Sequence, residues 1–484
     1  MKQIFYMLTF IFLTTISCQN KVLKVPIENI SSLKKSVFNI KDYGAVGDSL
    51  TMDTKAIQKT IDACHENGGG KVWVPAGNYI IGTIKLKSNV ALSLDYGASL
   101  LGSQDIIDYV DLPNTREGNA ECLIFAENAS NISIEGLGII DGRGTPEAFP
   151  RKEGSPRPRL LRMVNCDGLT FSGVTYKRPA FWGLHIIDSK NIHFNGVTIR
   201  FRNNGYNNDG LDIDGCEDVL IENCDIDAGD DAICLKSSLN PCKNIVVRNC
   251  KVSSNTAALK FGTSSRGGFI NVKVYNCYFY DSPMGAIKLQ LVDGGRLENI
   301  DISRIVMEDV GNPIFIRLGN RGRNYDKILG EIQKADVKPE GVPVGVLKNI
   351  RISDVVAHVK YQNLEREAYK GHTELSPEEE REVRISRTGP IMIAGIPGHY
   401  IENVVLENIE ISYPGGGTVE DTKRVISEDI ARYPEQFFFG ILPAWGAYVR
   451  HSKNITFKNV NMITRNSDER EMIVLDDVDG FIND

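Results

Sequence analysis

One short pattern recurs between residues 191 and 277 and decides the fold: NIHFNG (191–196), DVLIENC (218–224), NIVVRNC (244–250) and NVKVYNC (271–277). Successive copies begin 26 or 27 residues apart, and apolar and polar side chains alternate within each copy. Alternation with a period of two is typical of a strand that buries one face. One such strand cannot bury that face alone, whereas stacked copies form a continuous core. The repeat therefore predicts an all-β protein, a right-handed parallel β-helix.

Weaker copies extend the pattern in both directions along the chain. They are NISIEG (131–136), GLTFSG (168–173), NIDIS (299–303), NIRIS (349–353), NVVLEN (403–408) and NITFKN (454–459). Beyond Asn299 the spacing nearly doubles, which predicts insertions in the C-terminal half. Two charged segments without the pattern, 361–383 and 420–433, are interpreted as helical or loop insertions. They are either solvated decorations or a wall that closes one end of a groove.

Equivalent positions of the repeat carry the same polar residues. Cysteines and asparagines are predicted to stack in two ladders, which are Cys224, Cys250, Cys277 and Asn223, Asn249, Asn276. Residues in line along a stack do not pair as three disulfides, so these thiols are assigned to the core. At the other end of the chain, KAIQKTIDAC follows Asp53-Thr54 and predicts an N-capped amphipathic helix that covers the first coil.

Composition narrows the class of protein. The 484 residues are 42% hydrophobic and 24% charged, as in globular proteins, and the net charge of −7 argues against nucleic-acid binding. Lys2 precedes an apolar run, residues 4–16, that is too short to span a bilayer and ends at Ser17-Cys18. This arrangement resembles a bacterial lipoprotein signal, so we expect an exported monomer anchored to the outer membrane through a lipid on Cys18. An ordinary cleaved signal is the alternative.

The predicted domain organisation follows from the N-terminus and the repeat. It comprises a signal at 1–17, a linker at 18–36 and one β-helix catalytic domain at 37–484. Apart from Cys18 nine cysteines remain, an odd number without a CxxC motif, which argues against a zinc site. Cys234 and Cys242 are close enough in sequence to form one local disulfide.

The densest acidic region occupies two neighbouring coils. NNDGLDIDG (207–215) and AGDDAICLKS (228–237) place Asp209 just under one coil before Asp230 and Asp231. Neighbouring coils lie about 4.8 Å apart, so the three carboxylates can meet, and at least one pKa should then rise. A protonated and an ionised carboxyl group together provide what glycoside hydrolysis requires. Calcium binding and ordinary turn chemistry remain open on spacing alone.

A family resemblance supports the catalytic interpretation. FNIKDYGAVGDSLTMDTKAIQKTID (38–62), VPAGNY (74–79), NNDGLD (207–212) and GDD (229–231) resemble glycoside hydrolase family 28, the polygalacturonases, in its bacterial exo-acting branch. The resemblance implies an inverting hydrolase that needs no metal or other cofactor. It implies that Asp230 is the general acid, and that Asp209 and Asp231 position and activate the water.

The chain also departs from the family pattern. Ala257 stands where the family has a histidine, and Ala286-Ile287-Lys288 stands where it has the Arg-x-Lys that grips the substrate carboxylate. Lys236, Lys260 and Lys288 recur on successive coils, and we expect this ladder to face the cleft or solvent and bind an anionic sugar. Gln290 is a candidate hydroxyl contact beside it.

Aromatic and amide residues precede the acidic region. Trp182 and His185 lie one coil earlier in RPAFWGLH (178–185) and are candidate groove contacts, because sugar faces pack well on indole rings. Asn207 is a candidate substrate contact, and with Tyr206 and Asn208 it should shape the turn that presents Asp209. Loops resembling those of exo-acting members add further candidates, namely Arg317, Arg321, His399 and Tyr448.

These observations predict an enzyme that cleaves α-galacturonosidic linkages in pectic polysaccharide from the chain end. The substitution of the family histidine and arginine keeps rhamnogalacturonan or a pectic side chain open as the substrate. Two further functions fit the sequence, that of a calcium-dependent lyase and that of a non-catalytic β-helical glycan-binding protein.

Overall fold

The fold is a right-handed parallel β-helix, as the repeat predicts. It was analysed in a computed structural model, which describes residues 36–110, 112, 120–152, 155–202, 206–322, 343–361 and 375–484. Residues 1–35, which include the predicted signal and Cys18, lie outside the described part, and the first strand begins at Val37. Within the described ranges, no helix combines the length and the apolar character needed to cross a membrane.

The helices and strands follow one another along the chain with short turns. The strands are β1 (Val37–Asn39), β2 (Asp48–Met52), β3 (Gly70–Val74), β4 (Gly77–Ile81), β5 (Ile84–Lys85), β6 (Val90–Leu94), β7 (Ala98–Gly102), β8 (Cys122–Glu127), β9 (Ser130–Gly136), β10 (Ile139–Asp141), β11 (Arg159–Val164), β12 (Asp167–Ser172), β13 (Thr175–Lys177), β14 (Leu184–Ile187), β15 (Lys190–Asn195), β16 (Thr198–Arg200), β17 (Leu211–Asp214), β18 (Glu217–Glu222), β19 (Asp225–Ala228), β20 (Ile233–Ser237), β21 (Cys242–Arg248), β22 (Lys251–Ser254), β23 (Ala257–Ser265), β24 (Phe269–Tyr280), β25 (Gly285–Leu291), β26 (Arg296–Val310), β27 (Ile314–Leu318), β28 (Val346–Val359), β29 (Ile391–Ala394), β30 (Ile401–Tyr413), β31 (Ala444–Thr464) and β32 (Glu471–Asn483). The α-helices are α1 (Thr54–Glu66) and α2 (Pro377–Arg387), and the 3-10 helices are Ile40–Tyr43, Ile106–Asp108, Val419–Lys423 and Gln436–Phe439.

Each coil contributes strands to three parallel faces. Face A stacks β1, β3, β6, β9, β12, β15, β18, β21, β24, β26, β28, β30, β31 and β32. Face B stacks β2, β4, β7, β10, β13, β16, β19, β22 and the end of β24. Face C stacks β5, β8, β11, β14, β17, β20, β23, β25, β27, β29 and the start of β31. Inward-facing Ile, Leu, Val and Phe side chains from all three faces form one continuous core.

The predicted asparagine and cysteine ladders are confirmed. Asn223, Asn249 and Asn276 have φ between +54° and +56°, and each Nδ2 donates to the Oδ1 of the preceding rung at 3.4 Å or less. Asparagine tolerates this left-handed conformation better than other non-glycine residues. The thiols of Cys224, Cys250 and Cys277 are buried, and each donates to a backbone carbonyl two residues earlier.

The predicted disulfide between Cys234 and Cys242 is wrong. All nine cysteines of the described part are free thiols. Cys242 belongs to the central core, whereas Cys234 shares the outward row of Lys260 on face C. Their Sγ atoms donate to different carbonyls, that of Cys234 to Gly262 and that of Cys242 to Ile213.

The N-terminal helix covers the first coil as predicted, but its cap differs. Ile57, Ile61 and Cys64 of α1 are fully buried. Asp53 occupies the N-cap position, and its backbone carbonyl accepts from the N–H of Ile57 at 3.0 Å, but its side chain makes no capping bond. Its carboxylate accepts from the backbone N–H of Val46 at 2.7 Å and of Gly47 at 3.0 Å, so it fixes the preceding loop instead.

The two charged segments form no strand of the repeat in the described residues. The first contains α2, and its residues 362–374 lie outside the described part. The second belongs to the connection between β30 and β31, residues 414–443, which we call the β30–β31 connection. Ile426 and Leu442 of this connection pack on Phe315 and Met392, which point outward from face C. The connection therefore covers part of face C rather than extending into solvent.

Candidate active site

Two turns that lead from face B into face C present the acidic residues. Residues 206–210 precede β17, and residues 229–232 precede β20 on the next coil. Asn207 has φ +58° and accepts from Arg157 Nη2 at 2.9 Å. Asn208 is buried, and its Nδ2 donates to the carbonyls of Pro179 and Phe181. These amides hold the first turn, as its sequence predicts.

The two turns bring the three predicted acids into one cluster. One carboxylate oxygen from each of Asp209, Asp230 and Asp231 lies within 4.8 Å of the others. The backbone N–H of Gly210 donates to the carbonyl of Asp231 at 2.8 Å, which sets the register of the two turns. Asp209 and Asp231 are buried, while Asp230 is half-buried and reaches the surface of the cluster. The three carboxylates therefore meet, as the spacing of the two motifs predicts.

Hydrogen bonds distinguish the two adjacent aspartates. Thr256 Oγ1 lies 3.2 Å from Asp230 Oδ1 and 3.0 Å from Asp231 Oδ1. Asp231 Oδ2 accepts from Lys260 Nζ at 2.8 Å. Burial acts to raise the pKa of Asp231, but the charges of Lys260, Lys236 and Lys288 outweigh it and lower that pKa. Asp231 is therefore the ionised member of the cluster.

The other two acids retain protons more readily. Burial, followed by the negative charge of Asp231, raises the pKa of Asp230 to about 6. Burial, followed by the charges of Asp212 and Asp230, raises the pKa of Asp209 well above its ordinary value. Neighbouring carboxyl groups of this kind titrate together, so the cluster holds a proton near neutral pH. A group that holds a proton beside one that does not is the arrangement of an acid–base pair.

A fourth acid, Asp212, completes the cluster and was not predicted as a site residue. It is fully buried, and its Oδ1 lies 3.3 Å from Lys236 Nζ. Burial raises the pKa of Asp212 to about 7, although Lys236 acts in the opposite direction. The register of face C could have revealed this residue. Asp212 pairs with His185 on the preceding coil and with Cys234 on the next, in the row of side chains that point outward.

The three lysines are not exposed to solvent, although Lys236 and Lys260 lie against the acid cluster, so the expected accessibility is wrong. Lys236, Lys260 and Lys288 are 6%, 4% and 0% exposed, because each is held by carboxylates of the chain. Lys236 Nζ lies 3.8 Å from Asp209 as well as close to Asp212. Lys260 and Lys288 both contact Glu435, a residue of the β30–β31 connection. Paired ions of this kind can be buried, whereas unpaired ions cannot.

The predicted contacts on the preceding coil are also covered. Trp182 is 6% exposed; its ring stacks on Phe181 and lies 4.2 Å from Lys236 Nζ. His185 is fully buried beneath Trp182, with Nε2 at 3.8 Å from Asp214. These two residues form the floor under the lysine and acid cluster, and their contact with substrate stays a prediction.

Gln290 and the loop candidates have structural partners. Gln290 is fully buried, and its Nε2 donates to the carbonyl of Pro434 at 2.6 Å. Arg317 donates to the carbonyls of Glu428 and Asp429, and Arg321 pairs with Asp293. These bonds fasten the β30–β31 connection and the coil beneath it.

Sequence reasoning missed two residues that complete the cluster. Glu435 contacts two of the lysines, and the Tyr433 hydroxyl lies 3.2 Å from Lys260 Nζ. Both come from a segment more than 140 residues further along the chain, without the repeat that would fix its position. Tyr433 ends the charged segment 420–433 and Glu435 lies just beyond it, so the β30–β31 connection forms part of the surroundings of the acid cluster.

Comparisons with known proteins identify the family of the chain. The sequence profile of glycosyl hydrolases family 28 matches residues 64–365, more than half of the chain. A protein of Vitis vinifera named "Probable polygalacturonase" is 28% identical over 364 residues, which cover 66% of this chain and 74% of that protein. The exo-poly-alpha-D-galacturonosidase of Dickeya chrysanthemi is also 28% identical, over 66% of this chain and 62% of that protein.

The fold has a counterpart among solved structures. The family 28 exopolygalacturonase of Yersinia enterocolitica superposes with a TM-score of 0.66 over 93% of this chain and 78% of that chain. The two sequences are 18% identical in this superposition, so the likeness concerns the β-helix itself.

Proposed function

The chain belongs to glycosyl hydrolase family 28 and is a glycosidase, and on that premise we propose that it hydrolyses α-galacturonosidic linkages of pectic polysaccharides from the chain end. The observation that carries the proposal is the cluster of Asp209, Asp230 and Asp231, in which the charge of Lys260 lowers the pKa of Asp231 and burial raises the pKa of Asp230 to about 6. The names of the grape and Dickeya relatives support galacturonan as the substrate, and the Dickeya name supports exo action.

The proposed mechanism assigns one step to each carboxyl group. Asp230, the half-buried acid with a pKa of about 6, gives its proton to the oxygen of the departing sugar as the glycosidic bond breaks. Asp231, held ionised by Lys260, accepts a proton from a water molecule that Asp209 helps to position, as the oxygen of that water bonds to the anomeric carbon. The hydroxyl group of the water ends on the anomeric carbon, and the oxygen of the departing sugar gains a proton. The reaction therefore needs no oxidant or reductant.

The stereochemical outcome is a separate part of the proposal. Family resemblance implies inversion, whereas inverting carboxyl groups usually lie about 6.5–9.5 Å apart. Here the nearest oxygens of the three groups lie within 4.8 Å of one another. We propose inversion, because Lys260 neutralises Asp231 and favours a water-holding role over nucleophilic attack. Proton NMR during hydrolysis should show the β anomer first; an initial α anomer would refute inversion.

The decisive experiment is product analysis. Purified enzyme should release galacturonic acid and a new reducing end from pectic oligosaccharides, and shortening by one unit at a time would establish exo action. Products with ultraviolet absorbance from a new double bond would instead indicate a lyase. Binding without reducing sugar, retained when Asp209, Asp230 and Asp231 are replaced together, would indicate a glycan-binding protein.

A second substrate class is favoured by one observation. Lys288, the lysine at the position of the family's carboxylate grip, is fully buried and occupied by Glu435. Rhamnogalacturonan or a galacturonosidic side chain therefore belongs in the same substrate panel. Release of galacturonic acid from these and not from homogalacturonan would identify that class.

We also propose that the chain is exported and lipid-anchored through Cys18. The apolar run at 4–16 followed by Ser17-Cys18 supports this proposal. Detergent-phase partitioning of the wild-type protein, lost in a C18S variant, would be the expected result. A C18S variant that still partitions with membranes would contradict it.

A further inference from the structure

Glu435 brings a negative charge from a distant part of the chain onto the lysines beside the acid cluster. Its Oε1 lies 3.6 Å from Lys260 Nζ, and its Oε2 accepts from Lys288 Nζ. Next to it, the carbonyl of Pro434 accepts from Gln290. Glu435 is 5% exposed and Lys288 is fully buried. The β30–β31 connection is therefore seated on β23 and β25, one and two coils beyond Asp231.

This arrangement leaves the lysines with partners inside the protein. The ammonium groups of Lys236, Lys260 and Lys288 each lie within 3.8 Å of at least one carboxylate of the chain. Arg321, whose guanidinium carbon lies 5.8 Å from the centre of the Tyr433 ring, forms a bidentate pair with Asp293. A substrate carboxylate arriving over β23 and β25 would find Lys260 and Lys288 already paired with Asp231 and Glu435, and would approach the carboxylate of Glu435. Like charges that approach each other repel strongly where water is excluded.

We infer that Glu435 is a specificity-determining residue that excludes a free carboxylate from the sugar position over β23 and β25. The sugar in that position is uncharged, either a neutral sugar or a methyl-esterified galacturonate. This inference rests on the proposed function, because it concerns the unit adjoining the galacturonosyl bond that is cleaved. Lys288 therefore binds a carboxylate, but that carboxylate belongs to Glu435 and not to a uronate of the substrate.

The first test uses the wild-type enzyme on matched substrates. They are trigalacturonate, its fully methyl-esterified form, and an oligosaccharide in which galacturonate and rhamnose alternate. We expect kcat/KM to be at least about tenfold higher on one or both substrates with an uncharged neighbouring unit, the size of one charge-assisted hydrogen bond. Equal or faster cleavage of trigalacturonate would overturn the inference while supporting the proposed function. Failure to cleave any of the three would overturn both.

The second test changes Glu435 itself. E435Q keeps the shape of the side chain and removes its charge, and E435A also opens the space above Lys288. Each variant leaves Lys288 without its counter-charge, so we expect the ratio of kcat/KM for trigalacturonate to that for its methyl ester to rise about tenfold, mainly through KM. E435D should restore the wild-type ratio.

The matched control is E420Q in the same connection. Glu420 is 73% exposed in its side chain and pairs only with Lys423 in the described part of the chain, so its removal should leave the ratio unchanged. An unchanged ratio in a folded E435Q variant would overturn the inference. If thermal unfolding shows that E435Q is not folded, the wild-type comparison alone decides.

Discussion

The ammonium group of Lys260 lies 2.8 Å from Asp231 Oδ2 and 3.6 Å from Glu435 Oε1. One buried cation thus joins the acid cluster, built from consecutive coils, to a connection that returns to face C much later in the chain. On one side it keeps Asp231 ionised, and on the other it holds the segment that covers Lys288. The chemistry of the cluster and the shape of the neighbouring sugar position are therefore coupled through Lys260.

Replacing Asp230 by Asn should remove the proton donor without disturbing the coil. Asparagine has the same shape and can still accept from the backbone N–H of Asp231, which donates to Asp230 at 3.0 Å. We expect kcat to fall by about 10²–10⁴, the usual size of a general-acid contribution. Release of reducing sugar measures the loss, and circular dichroism checks the fold.

The control for this variant is D225N in the same coil. Asp225 forms a surface pair with Arg200 and is 39% exposed in its side chain, so its loss should change neither activity nor unfolding appreciably. A D230N variant as active as D225N would show that the general acid is another residue.

Replacing Lys260 by Met should shift the pH profile of kcat/KM to higher pH. Asp230 must be protonated, so activity falls as pH rises through its pKa of about 6, while Asp231 must be ionised, so activity falls on the acid side. Lys260 lowers the pKa of both groups, against the effect of burial. Without its charge both pKa values rise, and both limbs of the profile move upward.

K423M provides the matched control, because Lys423 is 65% exposed in its side chain and pairs with Glu420. Its profile should coincide with that of the wild type. A K260M profile with limbs in the wild-type positions, or moved downward, would contradict the electrostatic role of Lys260.

A chelator should not affect turnover. The acid cluster offers oxygens close enough to bind a cation, but Lys236 and Lys260 already place two ammonium groups against it. A divalent ion would have to overcome their repulsion, so we expect equal rates after dialysis against EDTA and after addition of calcium. Loss of activity with EDTA and recovery with calcium would favour calcium binding at the acid cluster.

The repeat made the fold predictable because each strand specifies its own register. A coil of 27 residues places Asn271 directly beside Asn244, whatever the rest of the chain does. The observed hydrogen bond between these two side chains joins residues 27 positions apart. The same regularity brought Asp209 beside Asp230 and Asp231. These are consequences of local sequence, in which one coil constrains only its neighbours.

The rest of the site depends on contacts that no local pattern encodes. Glu435 and Tyr433 reach the cluster through a connection whose path is set by packing of Ile426 and Leu442 on face C. These two residues determine whether the neighbouring lysines are exposed. Lys288 was expected to face a substrate, but it is buried because the carboxylate of Glu435 pairs with it. The rule that a lysine without a partner must be exposed therefore gave a wrong prediction for Lys288, because its partner Glu435 is distant in the sequence.

The asparagine ladder makes a prediction about stability that separates backbone conformation from side-chain bonding. Asn249 has φ +54°, and its Nδ2 lies 3.4 Å from Asn223 Oδ1 on the exposed surface. N249A should lower the free energy of unfolding by about 1–2 kcal/mol, since alanine disfavours the left-handed region. N249G loses the same side-chain bond but adopts this φ freely, so it should be destabilised less than N249A. Urea unfolding of both variants measures the difference, and equal losses would mean that the ladder of side-chain bonds, and not the backbone conformation, accounts for asparagine at this turn.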